Sequence, residues 1–474
     1  MSFPTTQRYS SELLKNMWEL SHIFFHMPIN KTKWYAWRHI HTLPQSIARH
    51  WQLRELRFQL RQAYSNVPFY RQLLDKKGVH PDDVRSFDDI QKLPIINKGL
   101  MRKVPVSELV NKTLPLWAYN WTETSGSTGE PFRFPTSRPF YFYKHFGCPK
   151  RIARYYRLLS VGAIHTRTRT ADVYVDRFLL WRGFSFGHIS RKFRFADIRT
   201  VNRPRGRHFL HVPVSDVREH PTAVIEKLTK FQPDVVSGRV TTLIELAQRM
   251  NEFGTAPLNI PFITSVGEMT TEAQKNYLAK AFGAEVYDRY GLEELGDVAI
   301  ECREHNGMHI HEESDIVEIV DDRDSPVSPG APGRVVVTNL CNYSVPFIRY
   351  DTGDRGKILP GKCPCGIPAR RLIIYGRLGA FLEVGGKKYQ FPEFAAIVAS
   401  FSDIILRSQV VKLPDNTIEL RIIPARKVSE KDIQLITETF KKQLSLTPRI
   451  ILVEKIPFNA SGKTQFLRDE GRPI

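Results

Sequence analysis

A short segment of the chain combines hydroxyl and glycine residues at a density that suits the binding of phosphate groups. It consists of Thr124, Ser125, Gly126, Ser127, Thr128 and Gly129. Glycine lets main-chain amides approach phosphate oxygens, and the hydroxyls add donors without adding charge. The flanking stretches predict that the segment joins two strands as a hairpin. A P-loop needs a Lys directly after its second Gly, where this chain has Glu130, so P-loop kinases and GTPases are disfavoured. The segment predicts ATP binding; the alternative is an ordinary Gly/Ser turn.

Three further residues have charged side chains that suit a nucleotide-binding site. Glu294 suits Mg²⁺, which takes one or two protein carboxylates together with phosphate oxygens. Asp354 lies in a predicted Thr-Gly-Asp turn, where its two oxygens can accept both hydroxyls of a ribose. Lys463, on a glycine-containing loop, is a flexible cation that can stabilise negative charge as it develops on a phosphate. The alternatives are a solvated acidic helix start for Glu294 and a simple turn for Asp354.

The order of these motifs resembles that of the adenylate-forming ligases, and within them the phenylacetate-CoA ligases and their capsule-biosynthesis relatives. The motifs are the loop at 124–131, Tyr290-Gly291-Leu292-Glu293-Glu294, Arg349-Tyr350-Asp351-Thr352-Gly353-Asp354, Gly376-Arg377 and Asn459-Ala460-Ser461-Gly462-Lys463. The branch is indicated by Ala63-Tyr64-Ser65-Asn66-Val67-Pro68-Phe69-Tyr70-Arg71, Gly78-Val79-His80-Pro81 and Leu93-Pro94. The resemblance extends from residue 57 to residue 463.

The resemblance implies roles for individual residues. It places Tyr290 against the adenine, Glu294 on magnesium near Thr128, Asp354 on the ribose and Lys463 at the first half-reaction. It also places the nucleotide against Gly291, Glu293 and Arg377. This chain departs from the family at Glu293, where Ser, Thr or Ala is usual, and a second carboxylate there would either repel the phosphates or add a metal contact. It departs again after Gly376-Arg377, where Leu378-Gly379-Ala380 replaces the usual hinge Asp or Lys.

A second group of residues has the composition of a zinc site. Cys302, His309, Cys363 and Cys365 supply three thiolates and an imidazole, the count of a closed tetrahedral structural site. His311 is an alternative to His309, and unligated thiols in turns are an alternative to the metal.

Length and composition predict an enzyme with two folded parts. A chain of 474 residues with 42% hydrophobic content exceeds the size at which single cores usually divide. Alternating strands and helices predict an α/β fold. The helical spacing of apolar residues near the N-terminus predicts a helical extension over residues 1–55. From the resemblance we expect a large adenylation domain with wound sheets and a small β-subdomain over 56–376, and a small mobile α+β domain over 377–474. The five cysteines and the absence of a signal-peptide pattern predict a cytoplasmic protein.

The net charge of +20 predicts anionic partners. Many basic residues fall between residues 167 and 207, but no RNA-binding signature accompanies them, so a specific nucleic-acid partner is not expected. A peripheral membrane contact through the aromatic and basic N-terminus, or a contact with an anionic polysaccharide, stays open.

The predicted function is ATP-dependent activation of a carboxylic acid, followed by transfer to coenzyme A. One alternative acceptor is an amine, as in an amide ligase of surface polysaccharide biosynthesis. A different class, a binding protein on a degenerate ligase scaffold, is disfavoured by Glu294, Asp354 and Lys463. The acid is expected to bind among scattered residues, which include Tyr141, Phe142, Phe146, Ser237, Gly238, Ser265 and Gly267.

Overall fold

The computed structural model describes residues 44–113, 119–123, 132–137, 170–174, 209–233, 235–377, 381–401, 403–457 and 465–471. In these parts the helices are α1 Gln45–Asn66, α2 Pro68–Lys77, α3 Lys98–Arg102, α4 Val106–Leu109, α5 Val214–Glu219, α6 Pro221–Phe231, α7 Val240–Glu252, α8 Glu272–Phe282, α9 Phe391–Ser400 and α10 Glu430–Leu444. Short 3₁₀ turns occur at Pro81–Asp83 and Asp88–Lys92.

The first strands form a hairpin and the parallel part of a sheet: β1 Tyr119–Glu123, β2 Arg133–Ser137, β3 Thr170–Tyr174, β4 Phe209–Pro213, β5 Val235–Gly238, β6 Phe262–Val266 and β7 Glu285–Leu292. They are followed by β8 Gly296–Glu301, β9 Met308–Ile310, β10 Asp315–Val320, β11 Gly333–Asn339, β12 Tyr350–Leu359 and β13 Arg371–Arg377. The C-terminal strands are β14 Phe381–Val384, β15 Lys387–Gln390, β16 Ile405–Lys412, β17 Ile418–Pro424, β18 Arg449–Leu452 and β19 Leu467–Asp469.

Helix α1 covers one side of the main core. Its Leu56, Leu60 and Ala63 recur every three or four residues and are fully buried, as expected for one face of a packed helix. The helix runs unbroken through residue 55, where the N-terminal extension was predicted to end. Helix α2 begins at Pro68, which has no amide hydrogen to leave unsatisfied, and ends at Gly78 in the left-handed conformation.

An eleven-stranded sheet forms the centre of the molecule, in the order β10-β11-β12-β13-β9-β8-β7-β6-β5-β3-β4. The sheet has a parallel part, made of β4, β3, β5, β6 and β7 in that order. From β7 onward each strand pairs antiparallel with the next, in the order β7, β8, β9, β13, β12, β11 and β10. The predicted α/β class is confirmed. The predicted small β-subdomain is continuous with the parallel part, because β7 pairs with β8.

The C-terminal part has a separate sheet in the order β18-β17-β16-β19, and α9 and α10 contribute to its core. A second set of its side chains, Leu406, Ile423 and Ile456, packs with the apolar side chains of α7 and α8. Among the helices of the described residues, none combines the length and apolar character that a membrane crossing requires.

Candidate functional site

The predicted phosphate loop is flanked by two paired strands. Glu123 at the end of β1 lies opposite Arg133 at the start of β2 in an antiparallel pairing. The predicted hairpin is therefore confirmed. The loop residues Thr124, Ser125, Gly126, Ser127, Thr128 and Gly129 lie outside the described residues, as does Lys463.

Three predicted nucleotide-binding residues lie on strands β7, β12 and β13 of the central sheet. Tyr290 on β7 donates its phenolic hydrogen to Asp354 Oδ2 over 2.7 Å, and Asp354 on β12 lies opposite Arg377 on β13 in the strand register. The Arg377 side chain is outside the described residues. The predicted Thr-Gly-Asp turn is wrong, because residues 350–359 form one strand. The pairing of this strand with β11 shifts register at one point. Gly353 has φ +76°, and the backbone there bends without leaving the sheet.

Glu294 lies in the short connection between β7 and β8 and is 1% exposed. Its Oε1 accepts the hydroxyl of Tyr350 at 2.9 Å and lies 2.8 Å from Lys98 Nζ. Both contacts go to the same oxygen, so Oε2 remains as a position for a hard cation such as Mg²⁺. Glu293 is only half-buried, and Gly291 has no room for a side chain because a Cβ would lie 2.7 Å from the Gly296 carbonyl oxygen.

The sequence motifs did not reveal Lys98. Contacts of Arg349 hold the segment that carries Lys98 near Glu294. Arg349 is 1% exposed, forms an ion pair with Glu318 at 3.0 Å and donates to the Leu93 carbonyl at 2.8 Å. Backbone hydrogen bonds join Ile96 to residues 349 and 351. These contacts hold the segment before α3 beside the β12 motif, which places Lys98 on Glu294. The Leu93-Pro94 signature gave the only sequence hint.

A second polar group occupies the carboxyl ends of the parallel strands β5, β6 and β7. Arg289 is 8% exposed and contacts both oxygens of Asp297, at 3.2 and 3.1 Å, and the Ser237 hydroxyl at 2.6 Å. Gly267, just after β6, has φ +81° and open space where a Cβ would lie.

Asp288 lies on the opposite face of β7 from Arg289. It accepts the Ser265 hydroxyl at 2.9 Å, and its amide donates to Glu301 at 2.8 Å. Burial and the nearby Glu301 raise the pKa of Asp288 to about 7. Lys275 contacts both oxygens of Glu301, at 2.8 and 2.9 Å, so the acid pair shares a buried cation.

The predicted metal ligands come together from β8, β9 and the loop between β12 and β13. One ligand atom from each of Cys302, His309, Cys363 and Cys365 lies within 4.8 Å of all the others. The Cys302 and Cys363 sulfurs are 3.7 Å apart, and Cys365 Sγ is 3.3 Å from His309 Nε2. Tetrahedral zinc with bonds of about 2.0–2.3 Å separates its ligand atoms by about 3.3–3.8 Å, so the spacing fits. The three sulfurs are not joined as disulfides, which require about 2.05 Å.

The surroundings of His309 suit a metal ligand. Its Nδ1 lies 3.0 Å from the Ala369 carbonyl, so that contact directs the proton to Nδ1 and leaves Nε2 for the cluster. Burial lowers the pKa of His309 to about 4, which keeps the ring neutral, and burial raises the pKa of Cys302 and of Cys365. His311, the predicted alternative, points instead toward Glu313, whose Oε1 is 3.8 Å from its Nδ1.

Comparisons with known proteins identify relatives in sequence and in fold. No protein-family model matches the sequence. A phenylacetate-coenzyme A ligase of Thermus thermophilus is 25% identical over 396 residues, which are 80% of this chain and 81% of the relative. A phenylacetate-coenzyme A ligase of Pseudomonas putida is 27% identical over 360 residues, 71% of this chain and 72% of the relative. The chain is similar in sequence to phenylacetate-coenzyme A ligases, and the predicted resemblance to this branch of the adenylate-forming ligases is confirmed.

Solved structures support the fold of this branch. A 2-hydroxyisobutyryl-CoA ligase in the postadenylation state superposes with a TM-score of 0.72 at 20% identity, covering 90% of each chain. The same ligase in an open conformation with 2-HIB-AMP and CoA gives 0.61. At that identity the likeness concerns the fold.

Proposed function

We propose that this protein activates a carboxylic acid with ATP and transfers the acyl group to coenzyme A. A carboxylate oxygen attacks the α-phosphorus, the bond to pyrophosphate breaks, and an acyl-adenylate forms. The thiol sulfur of coenzyme A then attacks the acyl carbonyl, losing its proton, and AMP leaves. Two buried hydrogen bonds carry this proposal, because they join the β7 motif to the β12 motif: Tyr290 donates to Asp354, and Tyr350 donates to Glu294.

The nucleotide contacts follow from the side chains present. The carboxylate of Asp354 accepts hydrogen bonds from the ribose hydroxyls, and the Tyr290 hydroxyl, which donates to its Oδ2, orients it. The ring of Tyr290 packs on the adenine. The backbone of Gly291 and the loop residues 124–129 take the phosphates. Arg377, opposite Asp354, lies at the junction to the small domain.

Glu294 would hold magnesium through the oxygen that Lys98 and Tyr350 do not contact. When bound, the metal supplies positive charge to the phosphate oxygens. Lys98 keeps the buried carboxylate neutralised in the free enzyme, and its flexible side chain can turn toward the phosphates. The substrate carboxylate and the ATP phosphates are both anionic, so they can approach each other only where such cations are already in place.

The small domain would complete the site by bringing Lys463 to the reacting carboxylate. We place the domain boundaries at residues 55 and 376, with the chain beyond 377 mobile between the two half-reactions. Since ATP and coenzyme A are intracellular co-substrates, we also propose a cytoplasmic location.

The cysteine and histidine cluster is proposed to bind structural zinc. Its ligands number four, so no position remains for a substrate, and the ion would fix the loop between β12 and β13 against β8 and β9. That loop leads into β13, which carries Arg377.

The variant Lys463→Ala separates the two half-reactions. We expect acyl-adenylate formation to fall by about a hundredfold or more, the scale for losing one transition-state electrostatic contact. With presynthesised acyl-adenylate, the variant should still transfer the acyl group to coenzyme A. Lys441→Ala, on the last turn of α10, is the matched control. Near-normal pyrophosphate release by Lys463→Ala would contradict the assignment.

A further inference from the structure

The carboxyl ends of β5, β6 and β7 form one edge of the parallel sheet, where ligand clefts of open α/β sheets are built. Small residues occupy this edge, among them Ser237, Gly238 and Ser265. Beyond β6, a Cβ on Gly267 would have no heavy atom of the described residues within 4 Å, so among these residues the edge is open at this point. The nucleotide residue Tyr290 lies on the last part of β7, so this space adjoins the proposed nucleotide site.

Arg289 places a positive charge at this edge. It directly precedes Tyr290, and because side chains alternate along a strand it lies on the other face of β7. Its guanidinium reaches across to Ser237 on β5 at 2.6 Å, so one side chain spans the ends of the parallel strands. The Ser237 hydroxyl accepts that hydrogen bond and keeps its own hydrogen to donate.

Asp297 on β8 balances the charge of Arg289. The two side chains are 8% and 11% exposed and meet at 3.1 Å. Asp297 pairs with Gly291 in the strand register, which fixes its position. The two residues are close, because a Cβ added to Gly291 would lie 3.2 Å from an Asp297 side-chain oxygen. A buried ion pair is often no more stabilising than apolar residues of similar size, so stability alone does not account for this one.

We propose that Arg289, Asp297 and Ser237 select an acid that carries a hydroxyl group, in preference to an unsubstituted aryl or alkyl acid. This inference rests on the proposed acid activation and names its substrate class. The pair has no net charge, so a second carboxylate or an ammonium on the substrate would gain little from it. A hydroxyl can donate to Asp297 and accept from Arg289 or Ser237. An apolar group would remove water from these polar atoms and return no hydrogen bond, which costs binding free energy.

Matched acids test the selection directly. AMP formation is followed with 4-hydroxyphenylacetate against phenylacetate and with 3-hydroxybutyrate against butyrate. We expect kcat/KM to favour the hydroxylated acid by at least about tenfold in one of these pairs, since sites built to bind a hydroxyl strongly reject the analogue that lacks it.

The double variant Arg289→Leu with Asp297→Leu removes both charges together. We expect it to lose the hydroxyl preference, to accept the unsubstituted acid at least as well, and to keep the wild-type KM for ATP. The double variant Arg218→Leu with Glu245→Leu removes an ion pair of 3.3 Å elsewhere in the same part of the fold and should keep the preference. If the first double variant does not fold, Ser237→Ala should still reduce the preference.

Two outcomes overturn the selection. One is a wild-type enzyme that uses the unsubstituted acids as well as or better than the hydroxylated ones. The other is an unchanged preference in a folded Arg289/Asp297 variant or in Ser237→Ala. A protein that forms AMP with no acid of either kind would instead refute the proposed activation, and the selection with it.

Discussion

Tyr290 and Asp354 lie 64 positions apart in the sequence and are joined by a buried hydrogen bond of 2.7 Å. The bond connects Tyr290, near the end of β7, with Asp354, in the middle of β12, although β8, β9 and β13 lie between these strands in the central sheet. It brings together the aromatic ring and the carboxylate that we propose as the nucleoside site.

The hydrogen bond gives a first prediction. Tyr290→Phe keeps the ring but removes the donor that orients Asp354, so KM for ATP should rise about tenfold, the equivalent of a charge-assisted bond worth about 1.4 kcal/mol. Steady-state kinetics with varied ATP measures this. Tyr277→Phe, which removes a hydroxyl bonded to Asn251 on another surface, should leave KM unchanged. An unaltered KM in Tyr290→Phe would show that the bond does not position Asp354.

Lys98 gives a second prediction. Lys98→Met leaves the buried Glu294 without its cation, so the nucleotide-free protein should lose thermal stability. Magnesium with ATP should then raise Tm by more in the variant than in the wild type, because the metal supplies the missing charge. Lys92→Met removes a surface pair with Asp89 and serves as the control. If magnesium with ATP raises Tm equally in Lys98→Met and wild type, then Lys98 and the metal do not both neutralise Glu294.

The metal cluster gives a third prediction. Protein purified without chelators should contain about one zinc per chain, and replacing Cys363 and Cys365 with Ser should remove it and lower Tm, since a structural site couples binding to folding. Cys341→Ser lies outside the cluster and should retain the metal. Metal analysis that finds no zinc in the wild type would reject the site.

Asp288 gives a pH prediction. Its pKa in the folded protein is about 7, above the ordinary aspartate value, so the folded state favours the protonated form. The free energy of unfolding should therefore fall as pH rises from about 4 to about 7 and level off above that window. Asp288→Asn should lack this decline, whereas Asp216→Asn, at a surface pair with Lys227, should keep it. Parallel pH profiles for Asp288→Asn and wild type would contradict the shift.

The sequence was informative where function depends on local motifs. The glycine and hydroxyl loop, the Tyr-Gly segment and the cysteine spacing can each be recognised from a few residues. The alternation of strand and helix around Val235 and Thr242 indicates the α/β sheet. The four residues of the cysteine and histidine cluster were predicted as a set because a structural zinc site requires four such ligands.

The contacts that the sequence did not reveal all depend on tertiary pairing. Lys98 meets Glu294 only because Arg349 holds the Leu93 segment against β12. Arg289 meets Asp297 because β7 and β8 pair in one particular register. The Thr-Gly-Asp segment was predicted as a turn because its residues favour turns, but the pairing of the flanking Asp351 and Arg355 with β11, and of Asp354 itself with β13, keeps it within β12.

The most direct test of the account is the amount of AMP formed from ATP and magnesium with hydroxylated and unsubstituted acids, with and without coenzyme A. The account predicts AMP and pyrophosphate only when an acid is present, and faster AMP release together with an acyl-thioester when coenzyme A is added. No effect of coenzyme A at any concentration would favour an amine acceptor. Formation of ADP and phosphate, or AMP release that is independent of any acid, would contradict the account.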